Sequence, residues 1–249
     1  MNKKEKSVTP VVLLPSHRSH VDYLMLSYIM YGNNLPVPCI VAGDNLKCGM
    51  IGSVLKSAGA FFIRRTWKNS SDKISNETKG SDYSIYRRTI RRYVDRLMTP
   101  VAFGGSGLPM EFFIEGGRSR DGIPLSPKVG MLTLIMNNYV KNISSIPDVH
   151  LVPISLTYER VPEGMDMSEQ RLGKLKTPES FWNIFWTGFK LMFLDWETKG
   201  RMHIRCGAPL SLKRLMEQSI EKERLKLSQA NGGSGSHHDE KENDAVAVI

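Results

Sequence analysis

The sequence predicts an α/β fold, a mixed and largely parallel sheet flanked by helices. Three observations predict it. Short apolar runs alternate with stretches of helical periodicity along most of the chain. The first run, Val11-Val-Leu-Leu14, is continuously apolar, as suits a strand covered on both faces. The segments between are loops rich in Gly, Asn and Pro: Gly32-Asn-Asn-Leu-Pro36, Gly43-Asp-Asn45, Gly104-Gly-Ser-Gly107 and Pro124-Leu-Ser-Pro127.

Taken in order, strands are expected at Val11–Leu14, Cys39–Ala42, Ala60–Ile63, Glu111–Ile114, Leu151–Thr157 and Met202–Arg205. Helices are expected at His20–Tyr31, Leu46–Ser57, Asp82–Met98, Val129–Tyr139, Glu179–Leu194 and Leu212–Leu227. Residues 68–81 are polar and aperiodic, and read as a mobile surface loop. From Gln229 the chain turns Gly/Ser-rich and then charged, with too little apolar surface to fold. The expected organisation is one domain over 1–228, which 249 residues can fill with a sizeable core, and a disordered tail over 229–249.

Composition narrows the function classes. A net charge of +9 favours anionic partners such as nucleic acid, phosphorylated metabolites or acidic lipid surfaces, without choosing among them. Three scattered cysteines, Cys39, Cys48 and Cys206, form neither a disulfide framework nor a zinc motif, and point to a reducing, intracellular compartment. The Asn69, Asn76 and Asn142 sequons are short enough to recur by chance. The charged start, Met1-Asn-Lys-Lys-Glu-Lys6, has no signal-peptide pattern. The first strand follows so closely that the sequence reads as a core taken from a longer protein. No run reaches the roughly 20 apolar residues of a membrane-spanning helix.

Four stretches carry chemistry. The first runs from Val11 to Asp22, an apolar strand that breaks into Ser16-His-Arg-Ser-His-Val-Asp22. Residues five apart do not share a face of one helix, so His17 and Asp22 meet only if His17 lies in the turn and Asp22 in the first helical turn. Ser19-His-Val-Asp22 has the form of a capping box, so Asp22 alone is explained as a helix-capping acid and His17 alone as a turn residue. Together, at the carboxyl end of a strand, they are a candidate general base, with His20 as the internal competitor.

In the second stretch, Gly59-Ala-Phe-Phe-Ile-Arg-Arg65, an apolar strand delivers Arg64 and Arg65 to the sheet edge, where a guanidinium fork suits phosphate. In the third, Met110-Glu-Phe-Phe-Ile-Glu-Gly-Gly-Arg-Ser-Arg120, a strand enters a turn where Glu115, Gly116, Gly117, Arg118 and Ser119 crowd together. Its backbone N–H groups, serine and arginines can hold a phosphate, and Glu115 can meet a substrate hydroxyl or an arginine. The fourth, His150-Leu-Val-Pro-Ile-Ser-Leu-Thr-Tyr158, places Val152, Pro153 and Ile154 as core residues, with Pro153 fitting an edge or bulge. The five arginines at 87, 88, 91, 92 and 96 form a broad basic helix face, most simply a solvated one, with acidic lipid or a nucleotide as the alternative partner. The aromatic stretch Phe181–Trp196 reads as core packing, with membrane-interface contact as the sharper alternative.

These motifs resemble the four blocks of the HX4D glycerolipid acyltransferases. His17 to Asp22 is similar to the first, Gly59 to Arg65 to the second, Phe112 to Arg120 to the third and Leu151 to Ile154 to the fourth. Their order and spacing resemble the branch acylating glycerol 3-phosphate or dihydroxyacetone phosphate, and Glu169–Trp182 is similar to a segment of the glycerol-3-phosphate enzymes.

The resemblance implies a transfer from acyl-CoA, or an acyl-carrier protein, to the sn-1 hydroxyl of the acceptor, with His17 as base and Asp22 orienting it. It implies acceptor-phosphate contacts from Arg64, Arg65, Arg118 and Ser119 in a pocket shaped by Glu115, Gly116 and Gly117. Val152, Pro153 and Ile154 fall on the acyl-donor side. It further implies no metal and no cofactor beyond acyl-CoA as co-substrate, no nucleic-acid partner, and an intracellular site at a membrane surface. Two other classes compete: a basic nucleic-acid-binding module, and a catalytically silent fragment. Salt-sensitive nucleic-acid binding without acyl transfer marks the first, and a folded protein that never transfers acyl groups marks the second.

Overall fold

In the computed structural model, residues 9–19, 21–47, 49–57, 59–64, 76–99, 108–118, 123–159 and 200–232 are described. The strands are β1 (Val11–Pro15), β2 (Cys39–Gly43), β3 (Phe61–Ile63), β4 (Met110–Glu111), β5 (His150–Tyr158), β6 (Met202–Cys206) and β7 (Leu210–Ser211). The helices are α1 (Asp22–Gly32), α2 (Gly49–Ser57), α3 (Asn76–Met98), α4 (Gly130–Lys141) and α5 (Leu212–Gly232), with a 3-10 turn at Asp44–Leu46. The sheet runs β3-β2-β4-β1-β5-β6, and β7 also pairs with β5. Strands β1 to β5 are mutually parallel; β6 and β7 return antiparallel to β5. The expected mixed, largely parallel sheet is what forms.

β1 is central, between β4 and β5, which accounts for its unbroken apolar run. Alternation along the strands divides the core into two layers. Ile40 and Ala60 pack with Tyr23 of α1 and Leu55 of α2. Val41 and Phe61 are register partners one residue on, hence on the opposite face, and there Phe61 meets Tyr93 of α3 at a ring separation of 4.7 Å. Asp95 of α3 ties that layer to α4 by accepting from the Asn138 and Asn142 amides at 3.0 and 2.8 Å.

Several boundaries differ from expectation. α1 begins at Asp22 rather than at residue 20, because Asp22 is turned back onto the preceding backbone. β4 pairs over two residues rather than four, since the chain bends into a turn after one further bond, Phe112 N–H to the Leu13 carbonyl at 3.2 Å. α3 reaches back to Asn76, so the last part of the 68–81 stretch is helical rather than loop; residues 68–75 lie outside the described residues.

Pro153 lies in an interior strand, not at an edge. It falls in the gap between the β5–β7 and β5–β6 pairings, where its carbonyl accepts from Gly207 N–H at 2.8 Å and no ladder donor is missed.

The chain divides into units Met1–Leu212 and Lys213–Ile249, where a single domain to residue 228 was expected. The helix past Leu212 mixes charged residues with apolar ones, and its Leu215, Ile220, Leu225 and Leu227 are exposed. It continues through Gln229 to Gly232, into the stretch expected to be tail. The expected helix Glu179–Leu194 lies outside the described residues, as does the aromatic stretch around it.

Candidate active site

Because β1, β3 and β4 are parallel, their carboxyl ends lie along one edge of the sheet, and each is followed by one of the motif turns. Ser16 pins the first of these. Its N–H donates to the Ile154 carbonyl at 2.9 Å, and its hydroxyl accepts from Leu156 N–H at 3.0 Å, extending the β1–β5 pairing by one step. The next residue, His17, leaves the sheet.

His17 lies in the turn, and Asp22 is the first residue of α1. His17 is 8% exposed and Asp22 fully buried. His17 Nδ1 is 3.0 Å from Asp22 Oδ2. The same oxygen accepts from the backbone N–H groups of Arg18 at 2.7 Å and Ser19 at 2.9 Å. The other oxygen, Oδ1, accepts from the Tyr158 hydroxyl at the end of β5. Half of the expected capping box is present: the acid reaches back to the Ser19 N–H, while the Ser19 hydroxyl accepts from Val21 N–H at 3.1 Å instead of from Asp22. The capping and ring-orienting roles of Asp22 are therefore one arrangement, in which the chain that is capped also carries the imidazole.

Two further groups fix the ring. Phe113 stacks on it with centroids 4.0 Å apart and planes inclined by 28°. Glu115 Oε1 accepts the His17 backbone N–H at 3.0 Å, and Oε2 accepts the Leu125 N–H at 2.9 Å. The sequence left Glu115 to a substrate hydroxyl or an arginine, in shaping the pocket; it is buried, and with its two oxygens on these backbone donors it braces the His17 turn against the β4 turn. Gly116, next in the chain, has φ = +63°, and a Cβ there would sit 2.6 Å from Lys128 Cγ. Only glycine suits that position.

A cavity of about 870 Å³ opens beside the imidazole. His17, Arg64, Gly116, Gly117 and Arg118 all line it, so the first three motifs converge on one space. Lys128 and, from α3, Arg87 and Arg91 line it too. Arg64 is anchored through its backbone N–H, which donates to the Tyr86 hydroxyl at 2.7 Å, while its guanidinium lies 5.1 Å from the centre of the Tyr86 ring. Val152, Pro153 and Ile154 are not brought to this cavity: Ile154 is buried in a cluster with Leu13, Leu26 and Leu156, Val152 packs against it, and Pro153 faces outward. Arg65, Ser119, Arg120 and His20 lie outside the described residues.

Glu111 on β4 is also fully buried, and neither of its oxygens has a hydrogen-bond partner. It is register partner to Leu13, which packs on Leu26, so it lies on the α1 face of the sheet. Burial, reinforced by the negative charge of Asp22, pushes its carboxyl up to about 8.

Sequence reading missed Tyr158, Phe113, Lys128 and Glu111. Tyr158 closes the fourth stretch and Phe113 the apolar part of the third, so both stood beside assigned residues. Lys128 follows a Pro-rich loop with no motif. An acid between Met110 and Phe112 inside an apolar run was the one visible sign of Glu111.

A family model described as Acyltransferase matches residues 1–157. The glycerol-3-phosphate acyltransferase of Pseudomonas syringae pv. tomato is 36% identical over 207 residues, which is 83% of this chain and 22% of that protein. That of Hamiltonella defensa is 34% identical over 210 residues, covering 84% of this chain and 22% of its own length. The chain thus spans about a fifth of the length of the curated relatives it matches.

Proposed function

The chain belongs to the acyltransferase family, and from that premise we propose that it transfers a fatty acyl group from a thioester donor to the sn-1 hydroxyl of glycerol 3-phosphate. The observation that carries this reading is the His17–Asp22 pair at the mouth of a cavity lined by Arg64, Arg118 and Lys128. The names of the relatives, glycerol-3-phosphate acyltransferases, support the acceptor. Dihydroxyacetone phosphate carries the same phosphate and is the second acceptor on this reading.

With Nδ1 directed to Asp22, Nε2 is the nitrogen that takes the proton from the acceptor hydroxyl. The hydroxyl oxygen bonds to the thioester carbonyl carbon, giving a tetrahedral oxyanion. The C–S bond then breaks with its electron pair on sulfur, and the imidazolium returns the proton to the thiolate. The products are an ester and a free thiol, with His17 restored. Asp22 stabilises the imidazolium formed midway. Its four donors and full burial hold it to one geometry. General-base assistance of this kind contributes roughly 10²–10⁴-fold; holding two substrates in line supplies much of the rest.

Arg64, Arg118 and Lys128 hold the acceptor phosphate, and Gly116 and Gly117 let backbone approach it. Arg65 and Ser119 join them on the sequence reading. Acyl-CoA is the donor we favour, with acyl-carrier protein the alternative. The product is a lipid, so the reaction belongs at a membrane surface inside the cell, for which the net charge of +9 is suited.

The test is thiol release from acyl-CoA and acyl-carrier protein with glycerol 3-phosphate, dihydroxyacetone phosphate or 1-acyl-glycerol 3-phosphate as acceptor. The reading predicts release with glycerol 3-phosphate above the other two. Folded protein that releases no thiol with any combination contradicts it.

A further inference from the structure

The His17 cavity carries cationic groups on two walls. One wall is the β4 turn with Arg118, facing Lys128. It is tied to the base directly, because Glu115 bonds the His17 backbone and Gly116–Arg118 follow Glu115 in the chain. The other wall is α3. Arg87 and Arg91 lie one helical turn apart and both line the cavity, whereas Arg88, Arg92 and Arg96 of the same basic face do not. Asp95, one turn further, meets α4 through Asn138 and Asn142. The face of α3 that carries the two arginines is therefore the one turned toward α4.

The first turn of α4 borders the same space. Gly130, Met131 and Thr133 line the cavity, the residue preceding the helix makes no side-chain cap, and no acid stands in the first turn. The start of α4, the positive end of its helix dipole, thus lines the same space as the two α3 arginines. A helix start alone would mean little; here two guanidinium groups from a separate element converge with it.

The reaction proposed above brings together two anions of different shape. In glycerol 3-phosphate the phosphate is a few bonds from the reacting hydroxyl. In a phosphopantetheine thioester it is separated from the reacting carbonyl by a long arm. Two phosphates in one cavity repel unless each has its own cations. The turn tied to His17 through Glu115, with Arg118, suits the acceptor's phosphate, together with Arg64.

Resting on that reading, we propose that Arg87 and Arg91, with the first turn of α4, form a separate subsite for the phosphate of the acyl donor's phosphopantetheine arm. Coenzyme A and an acyl-carrier protein share this group. The subsite leaves the Arg118 wall to the acceptor and sets the direction from which the thioester reaches His17.

The experiment uses the whole chain carrying Arg87→Ala and Arg91→Ala together, both exposed positions whose truncation leaves no buried gap. Calorimetry measures coenzyme A and glycerol 3-phosphate binding, and thiol release measures KM for each donor the wild type turns over. The subsite predicts coenzyme A binding weakened about 10–100-fold, as expected for losing two charge-assisted contacts. Donor KM rises in parallel, glycerol 3-phosphate binding stays within twofold, and Arg87→Lys with Arg91→Lys recovers part of the loss.

Unchanged coenzyme A binding, or a loss of glycerol 3-phosphate binding equal to that of coenzyme A, overturns the subsite. So does wild-type protein that fails to bind coenzyme A at all. Wild type that binds coenzyme A through these arginines yet releases no thiol supports the subsite and contradicts the catalytic reading instead.

Discussion

Asp22 and Glu111 are both fully buried acids on the α1 side of the sheet, and their surroundings are opposite. Asp22 is met by four donors: the imidazole, two backbone N–H groups and the Tyr158 hydroxyl. Glu111 is met by none. A buried carboxyl that no donor serves loses its charge, which is why Glu111 is pushed up to about 8. Burial by itself does not make a catalytic acid; what the neighbouring backbone offers it does. Asp22 has those donors because it opens a helix, where two N–H groups of the preceding turn point at it. Glu111 sits in a strand whose N–H and C=O groups are directed to β1 and β2.

Substitutions probe the two environments separately. The largest effect belongs to the ring that Asp22 serves: His17→Ala should lower kcat by about 10²–10⁴-fold with folding intact, read by thiol release and circular dichroism. Full activity in that variant would remove His17 from the mechanism. Tyr158→Phe takes away one of the four donors and should reduce kcat about tenfold, in line with one hydrogen bond to a charged group. A kcat within twofold of wild type would make Tyr158 a packing residue only.

Gly116→Ala meets both an unfavourable φ of +63° and the Lys128 side chain. It should destabilise the fold by about 1–2 kcal/mol and raise the acceptor KM more than the donor KM. Urea unfolding and the two KM values check it, and equal changes in both would argue against the β4 turn as the acceptor's wall.

The smallest effect on activity, and the clearest on stability, is expected for Glu111→Gln. The folded protein holds the Glu111 proton up to about 8, whereas the unfolded chain gives it up near the ordinary 4.5. Folded protein binds more protons between those values, so this residue's contribution to stability falls as pH rises from 4.5 through about 8 and then levels off. Glutamine stays neutral and should flatten that slope, making the variant more stable than wild type at pH 8.5 by about 1–3 kcal/mol. An unaltered pH dependence of unfolding would show that Glu111 carries no such shift.

The two acids also mark what a sequence discloses. The His17–Asp22 relation was legible because it is local: strand end, turn and helix start lie within a dozen residues, and spacing alone put one residue in the turn and the other in the helix. The parallel class was legible for the same reason, from runs such as Val11–Leu14. The order of the strands was not, because β4 enters between β2 and β1 from far along the chain. Tyr158 reaches Asp22 across 136 residues, and Glu115 reaches His17 across 98, so no spacing rule could pair them. The fourth stretch was legible as a core strand, and Val152 and Ile154 do pack in the core, but which face they turn to it depends on pairing with β1 and on α1. Glu111, a lone polar residue in an apolar run, was read simply as part of the strand, and only its lack of partners sets it apart.

Thiol release by Asp22→Asn and by Glu111→Gln, measured beside wild type, separates the two acids. Asparagine keeps an oxygen for the three N–H donors and can turn its amide to the Tyr158 hydroxyl, so the fold is retained while the charge is lost. Asp22→Asn should lower kcat by about 10²–10⁴-fold, no further than His17→Ala does, and Glu111→Gln should stay within a few-fold of wild type. An active Asp22→Asn beside an inactive Glu111→Gln would contradict both expectations.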